Sequence, residues 1–334
     1  MRIIVLIGLV VAMMGCKESS DKQEDQNYHK DPLINELTVL LKQNPKDAGL
    51  WVSRAQAFYE RQGYDEAIQD MAAAMRLDSL NPEYHHFLAD IYMDYYKSRL
   101  ALSTMQRAAV LHPTRIPTLL KLSNLQTTLT FYEESLETLD KIMRVDPQNA
   151  DALLMFGLNY AALGDTARSI GAYQRAVQID PELTDAWIRL AQLRAARKEP
   201  NALQFFDAAI KVDSENELPY MAKADFLWSK GMMKEAVEVY KQVILLNPSY
   251  ADAYYNIGLV YMEQDSLDRA YENFDLTIKM NPLYFKAFFY RGLAQEGKGN
   301  LDQALKDYQQ CMKMAPGYDK AKENYNRLKE ELQG

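Results

Sequence analysis

Residues 145–154 read VDPQNADALL, residues 179–188 IDPELTDAWI, residues 246–255 LNPSYADAYY and residues 280–289 MNPLYFKAFF. The first two segments start 34 residues apart, as do the last two, and the middle interval of 67 is two such periods less one residue. A fixed period of this length marks a chain built by stacking one supersecondary unit, in which no single core grows with chain length. Extended outward, the register covers residues 48–318 as eight repeats: 48–81, 82–115, 116–149, 150–183, 184–216, 217–250, 251–284 and 285–318. The missing residue falls in the fifth, in the turn between Lys198 and Ala202.

Each position of the repeat carries a physical requirement. Position 8 is Ala55, Ala89, Ser123, Gly157, Ala191, Ala224, Gly258 and Gly292, and position 20 is equally small from Ala67 to Ala304. Two antiparallel helices approach closely only where small side chains face one another. Position 24 is always large and apolar (Met71, Met105, Leu139, Tyr173, Phe206, Tyr240, Phe274, Tyr308) and fills the space left. Position 32 is proline in six repeats, with Ser79 and Ser214 in the other two; proline ends one helix and presets the next. Glu83, Asp151, Asp185 and Asp252 follow it, at helix N-termini where the macrodipole favours acids.

These residues resemble the tetratricopeptide repeat (TPR) family. The resemblance implies an all-α fold: a right-handed superhelical solenoid of antiparallel helix pairs. It comprises eight full repeats between an N-terminal half-repeat at residues 31–47 and a polar capping helix at residues 319–334. Caps are needed because an uncovered terminal repeat would expose apolar surface.

In this family the first helices line the concave surface, and positions 2, 5, 6, 9, 12 and 13 face a ligand. Mapped onto this chain, the last three repeats offer Met221, Trp228, Tyr255, Leu259, Met262, Phe289 and Leu293. Adaptable Met beside rigid aromatic groups is the composition of binding hot spots. The first three repeats offer a more polar second surface with Gln56, Tyr59, His86, Asp90 and Asn124. Helical spacing alone leaves open whether such residues face a groove or pack against the next repeat. Family members that clamp a chaperone's terminal carboxylate use five residues; Asn256 and Lys286 match two, whereas Met221, Asp225 and Tyr290 occupy the others, so that ligand is not expected.

Ahead of the repeats, Arg2 precedes an apolar run from Ile3 to Met14 and then Gly15 and Cys16, the pattern of a secretory signal over residues 1–15. Thirteen helical residues rise about 20 Å, short of a hydrocarbon core of roughly 30 Å. Met13-Met14-Gly15-Cys16 resembles a bacterial lipobox, which implies cleavage before Cys16 and its lipidation. Residues 16–30 then form a lipidated polar tether with a reach on the order of 20 Å. Lys17 is not the Asp linked to inner-membrane retention in enteric bacteria, so the resemblance points to the outer membrane. The acids after Lys17 are similar to export signals on surface lipoproteins of Bacteroidetes, and both the periplasmic and the surface orientation stay open.

Composition excludes several functions. A net charge of −8 with no basic stripe gives no source of counterion-release affinity, so nucleic acid is not an expected partner. His29, His85, His86 and His112 do not form a metal-ligand spacing, and no phosphate loop or nucleophile elbow is present, so no metal, cofactor or catalytic residue is expected. Cys311, at position 27, reads as a buried packing residue. The expected function is a membrane-tethered adaptor that binds a protein or peptide partner of the cell envelope. The alternatives are a structural spacer in an envelope complex that self-associates through a terminal repeat, for instance as a homodimer, or an enzyme or carbohydrate-binding protein that uses aromatic groove residues as a platform.

Overall fold

The computed structural model describes residues 31–333, and every described regular element is an α-helix. The signal segment, Cys16, the tether and His29 lie outside the described residues. The chain divides between Val145 and Asp146 into two compact units. The first contains α1 (Pro32–Gln43), α2 (Ala48–Tyr59), α3 (Tyr64–Leu77), α4 (Pro82–Asp94), α5 (Ser98–Leu111), α6 (Ile116–Thr128) and α7 (Tyr132–Val145). The second begins with α8 (Ala150–Ala162), α9 (Thr166–Ile179), α10 (Thr184–Ala196), α11 (Ala202–Val212) and α12 (Glu217–Ser229). It continues through α13 (Met233–Leu246), α14 (Ala251–Glu263), α15 (Leu267–Met280), α16 (Phe285–Gly297) and α17 (Leu301–Met314) to α18 (Asp319–Gln333). The helix-pair solenoid implied by the family resemblance is the fold observed.

Within each pair the small and large positions meet as close packing demands. Ala55, Ala67 and Met71 are fully buried, as are Ala224, Ala236 and Tyr240. At Gly157, Gly258 and Gly292 the fit is tighter, because a Cβ there would lie 2.4, 2.6 and 2.8 Å from the rings of Tyr173, Phe274 and Tyr308. Glycine at position 8 is thus the counterpart of an aromatic ring at position 24.

The turn inside each repeat places one residue in the left-handed region: Gln62, Tyr96, Thr130, Gly164, Lys198, Gly231, Asp265 and Gly299, with φ between 52° and 81°. That residue reverses the chain after the first helix. The fifth repeat keeps this turn at Lys198, and the expectation that its deletion shortens the turn is corrected. The loss falls on the second helix, since α11 has 11 residues where α9 and α13 have 14.

Position 4 adds a recurring tie. Trp51 and Trp187 donate their indole N–H to the carbonyls of Pro45 and Pro181, both at 2.9 Å, and the Tyr254 hydroxyl donates to Pro248 at 3.1 Å. Each bond stitches a first helix to the turn six residues before it. At the two ends of the described chain, Ile34, Leu37 and Leu41 of α1 are buried, and α18 buries Ala321 and Leu328 in the cluster with Phe289, Tyr308 and Cys311. Cys311 is wholly buried, and loss of hydration pushes its thiol pKa up to about 11, which keeps it protonated and inert.

Candidate functional site

Two surfaces carry the candidate residues, one in each unit. In the second unit, positions 5, 9 and 12 of α12, α14 and α16 supply the Met and aromatic stripe. Met221 and Trp228 are half-buried against the core of Ala224, Leu227 and Tyr240, while Leu259 and Met262 are half-buried against Phe274 and Ala287. Leu293 stands likewise over the Tyr308 cluster. Each of these five therefore presents one edge to solvent from a fixed base, which lowers the entropy a ligand must remove on contact.

Tyr255 and Phe289 are corrections. They are only 9% and 4% exposed, and they sit inside an aromatic floor in which Tyr255 meets Tyr284 at 4.9 Å and Tyr290 at 5.8 Å. Phe289 meets Tyr290, Tyr308 and Tyr318 within 5.2 to 5.8 Å. Edge-to-face and tilted geometries of this kind hold rings rigidly. These two residues support the stripe from beneath and are not contact residues.

Polar side chains at the rim are committed to inter-repeat bonds at fixed spacing. Trp228 donates its indole N–H to Glu263 at 2.9 Å, 35 residues on, and Tyr59 donates to Asp94 across the same interval. Asn256 donates to Asp225 at 3.2 Å, 31 residues back, as Lys121 does to Asp90 at 2.7 Å. Asp225 also accepts from the Tyr240 hydroxyl at 2.5 Å. A carboxyl group, Asp225, thus stands where the clamp has an asparagine, and it engages the amide of Asn256. The incomplete clamp motif in the sequence has this physical counterpart.

In the first unit the polar surface surrounds a small hollow of about 150 Å³ lined by Asp90, Met93, Lys121 and Asn124 over Ala89 and Met105. Asn124 is exposed at its edge. Gln56 is exposed as well, with its amide held by Glu60 at 3.0 Å. Tyr59 is less available than the sequence suggests, since its bond to Asp94 raises the phenol pKa to about 12 and keeps it a committed donor. His86 lies at 2.9 Å from Thr118, and burial lowers its pKa, so the ring is neutral near pH 7 and contributes a hydrogen bond, not a charge. Sequence reasoning missed Lys121, whose ion pair with Asp90 forms one wall; spacing of 31 residues between unlike charges was the available signal.

The helix starts show the same economy. Glu83 accepts from Arg115, 32 residues on, at 2.5 Å, and Asp252 accepts from Tyr284 at 2.6 Å across the same interval. These two acids therefore bridge neighbouring repeats as well as facing a helix dipole. Among the described residues no group of His, Cys, Asp and Glu is arranged to hold a metal ion.

Comparison with known proteins agrees with the helix-pair architecture. Family models described as tetratricopeptide repeat match residues 34–82, 120–184, 154–217, 251–282 and 286–317, and one described as TPR repeat matches 224–265. The chain is 22% identical over 243 residues to the human protein O-mannosyl-transferase TMTC3, covering 67% of this chain and 27% of that protein. It is 20% identical over 318 residues to a TPR repeat-containing protein of Methanocaldococcus jannaschii, covering 78% of this chain and 56% of that one. The chain thus spans about a quarter to a little over half the length of these relatives, and the transferase activity is a property of the human protein. A crystal structure of a tetratricopeptide repeat protein from Parabacteroides merdae superposes with a TM-score of 0.57 at 20% identity, covering 74% of this chain and 98% of that one.

Proposed function

Since the chain belongs to the tetratricopeptide repeat family, we propose that it is a scaffold that holds a protein or peptide segment on the first-helix face of its last three repeats, tethered to an envelope membrane through Cys16. The observation that carries the binding half is the row of half-buried Met221, Trp228, Leu259, Met262 and Leu293 over a rigid aromatic floor. A segment with apolar side chains spaced to meet this row suits it. Asp225 and Glu263 at the rim favour a basic residue in that segment. The anchoring half rests on the lipobox resemblance of residues 13–16 and the polar tether after it. An outer-membrane address and an envelope partner follow from the same resemblance.

Crosslinking of the full-length protein in its own cells tests the binding half. One protein should be captured consistently, and Met221→Glu with Met262→Glu should reduce capture at least tenfold, because a charge in a hot-spot row must be desolvated on binding. The helical melting curve should move little, as both methionines are only half-buried. Undiminished capture by the double variant would place the partner elsewhere, and the absence of any captured protein would remove the scaffold reading. For the anchor, Cys16→Ser should shift the protein from the membrane fraction to the soluble fraction and abolish incorporation of labelled palmitate. Retention of either would overturn lipidation at that residue.

A further inference from the structure

The second repeat, in the first unit, differs from the first repeat at position 4 and at the pair of positions 7 and 23. Position 4 is a large ring in five repeats (Trp51, Trp187, Tyr220, Tyr254, Phe288) and leucine in two (Leu119, Leu153), but here it is His85, a smaller ring. Positions 7 and 23 hold an Arg–Asp pair in the first and last repeats, yet in the second they are Leu88 and Thr104. With neither the large ring nor the ion pair of the first repeat, the second has a cleft of about 640 Å³ among α3, α4 and α5.

The cleft's lining is chemically consistent. Arg76 and Arg107 line it, and among the described residues neither has an ion pair. Their planar forks match carboxylate or phosphate oxygens. Ser103 and Thr104 both donate their hydroxyl hydrogens to the carbonyl of Leu100, at 3.0 and 2.8 Å, which leaves oxygen lone pairs free to accept. His85 is 1% exposed; its Nε2 lies 3.0 Å from the carbonyl of Ser79, so Nε2 carries the hydrogen and Nδ1 keeps a lone pair with no partner. Met75 and Leu88 supply an apolar wall. Two unpaired cations, a set of acceptors and an apolar wall together require an anion that also carries hydrogen-bond donors on a carbon skeleton.

We propose that this cleft is a binding site for a small hydroxylated organic anion, of the class of a sugar acid or a sugar phosphate, held at its charge by Arg76 and Arg107 and at its hydroxyls by Ser103 and Thr104. It is independent of the protein-binding row, which lies in the other unit.

Calorimetric titration of the full-length protein with glucuronate, glucose 6-phosphate, glucose and inorganic phosphate tests the assignment and separates the two sources of charge. At least one of the first two should bind with a dissociation constant below about 1 mM, and glucose and phosphate each at least tenfold more weakly. Arg76→Ala with Arg107→Ala should weaken binding at least tenfold, and these exposed side chains leave the fold intact. His85→Trp should refill the cleft and abolish binding without lowering the melting temperature, since Trp51 and Trp187 fill the same position and keep the bond to the turn carbonyl. The proposal is overturned if neither organic anion binds, if phosphate alone binds as tightly as glucose 6-phosphate, or if the arginine double variant binds unchanged.

Discussion

Gly157→Ala should destabilise the second unit by about 2 kcal/mol, although replacing a mid-helix glycine by alanine ordinarily stabilises by roughly 0.5–1 kcal/mol. The sign reverses because the added Cβ would lie 2.4, 2.6 and 2.7 Å from three atoms of the Tyr173 ring, and that ring is 1% exposed with nowhere to move. Relief must come from separating α8 from α9, which opens the tightest contact of the pair. Two repeats pair alanine with a ring and show how the clash is otherwise avoided. Tyr240, opposite Ala224, is drawn by its hydroxyl to Asp225, and Phe206, opposite Ala191, packs 5.3 Å from Phe226. Tyr173→Leu in the Gly157→Ala background should therefore recover most of the loss, since Ala55 with Met71 and Ala89 with Met105 pack as a small residue against a flexible one. A thermal-melt double-mutant cycle should give a coupling of at least about 1 kcal/mol. A Gly157→Ala protein as stable as the parent would show that the ring is not the constraint.

That small residues meet bulky ones was legible in the sequence because packing inside a repeat acts at fixed positions; the closer match of glycine to an aromatic ring came from the structure. Small residues at positions 8 and 20 and a bulky one at 24 permit one arrangement of two helices, and eight copies make the pattern unmistakable. Three features were not legible, each for a physical reason. The left-handed residue at position 15 is glycine only at Gly164, Gly231 and Gly299; Gln62, Tyr96, Thr130, Lys198 and Asp265 adopt the same turn, at a cost on the order of 1–2 kcal/mol each that tertiary packing outweighs. The inter-repeat bonds join residues 31 to 35 apart and depend on the rotation between repeats, which no local pattern encodes. Tyr255 and Phe289 share helical positions with Met221, so periodicity could not separate floor from surface. What separates them is their neighbours: Tyr284 and Tyr290 pack on Tyr255, and Tyr290, Tyr308 and Tyr318 on Phe289, whereas Met221 is only half-buried against its cluster.

Arg291→Met should cost about 3 kcal/mol near pH 7, because it strands two carboxylates that the guanidinium now satisfies. Arg291 bonds Asp307 through both oxygens at 2.6 and 2.9 Å and reaches Asp275 on the preceding second helix at 2.6 Å, so one side chain ties α15, α16 and α17. The three side chains are 18%, 10% and 25% exposed, dry enough for an unpaired charge to be expensive. The same fork recurs at the other end, where Arg54 bonds Asp70 at 2.7 Å twice and Thr38 of α1 at 3.0 Å. Both forks fasten a terminal repeat to the element before it. The pH profile distinguishes lost charge pairing from lost packing. Burial raises the Asp275 pKa, but hydrogen bonds from Lys279 and Arg291 outweigh it and leave the pKa lowered. A carboxylate with a lowered folded pKa stabilises above its unfolded value of about 3.9, and that contribution disappears as pH falls through the folded value. The gap in melting temperature between parent and Arg291→Met should therefore be widest near pH 7 and close as pH falls below about 4, where protonation removes the stranded charge. Adding Asp275→Asn and Asp307→Asn should restore most of the loss at neutral pH, since neutral amides do not need the cation. A gap that stays constant with pH, or a triple variant no more stable than Arg291→Met, would assign the effect to the packing of the arginine stem over Phe288.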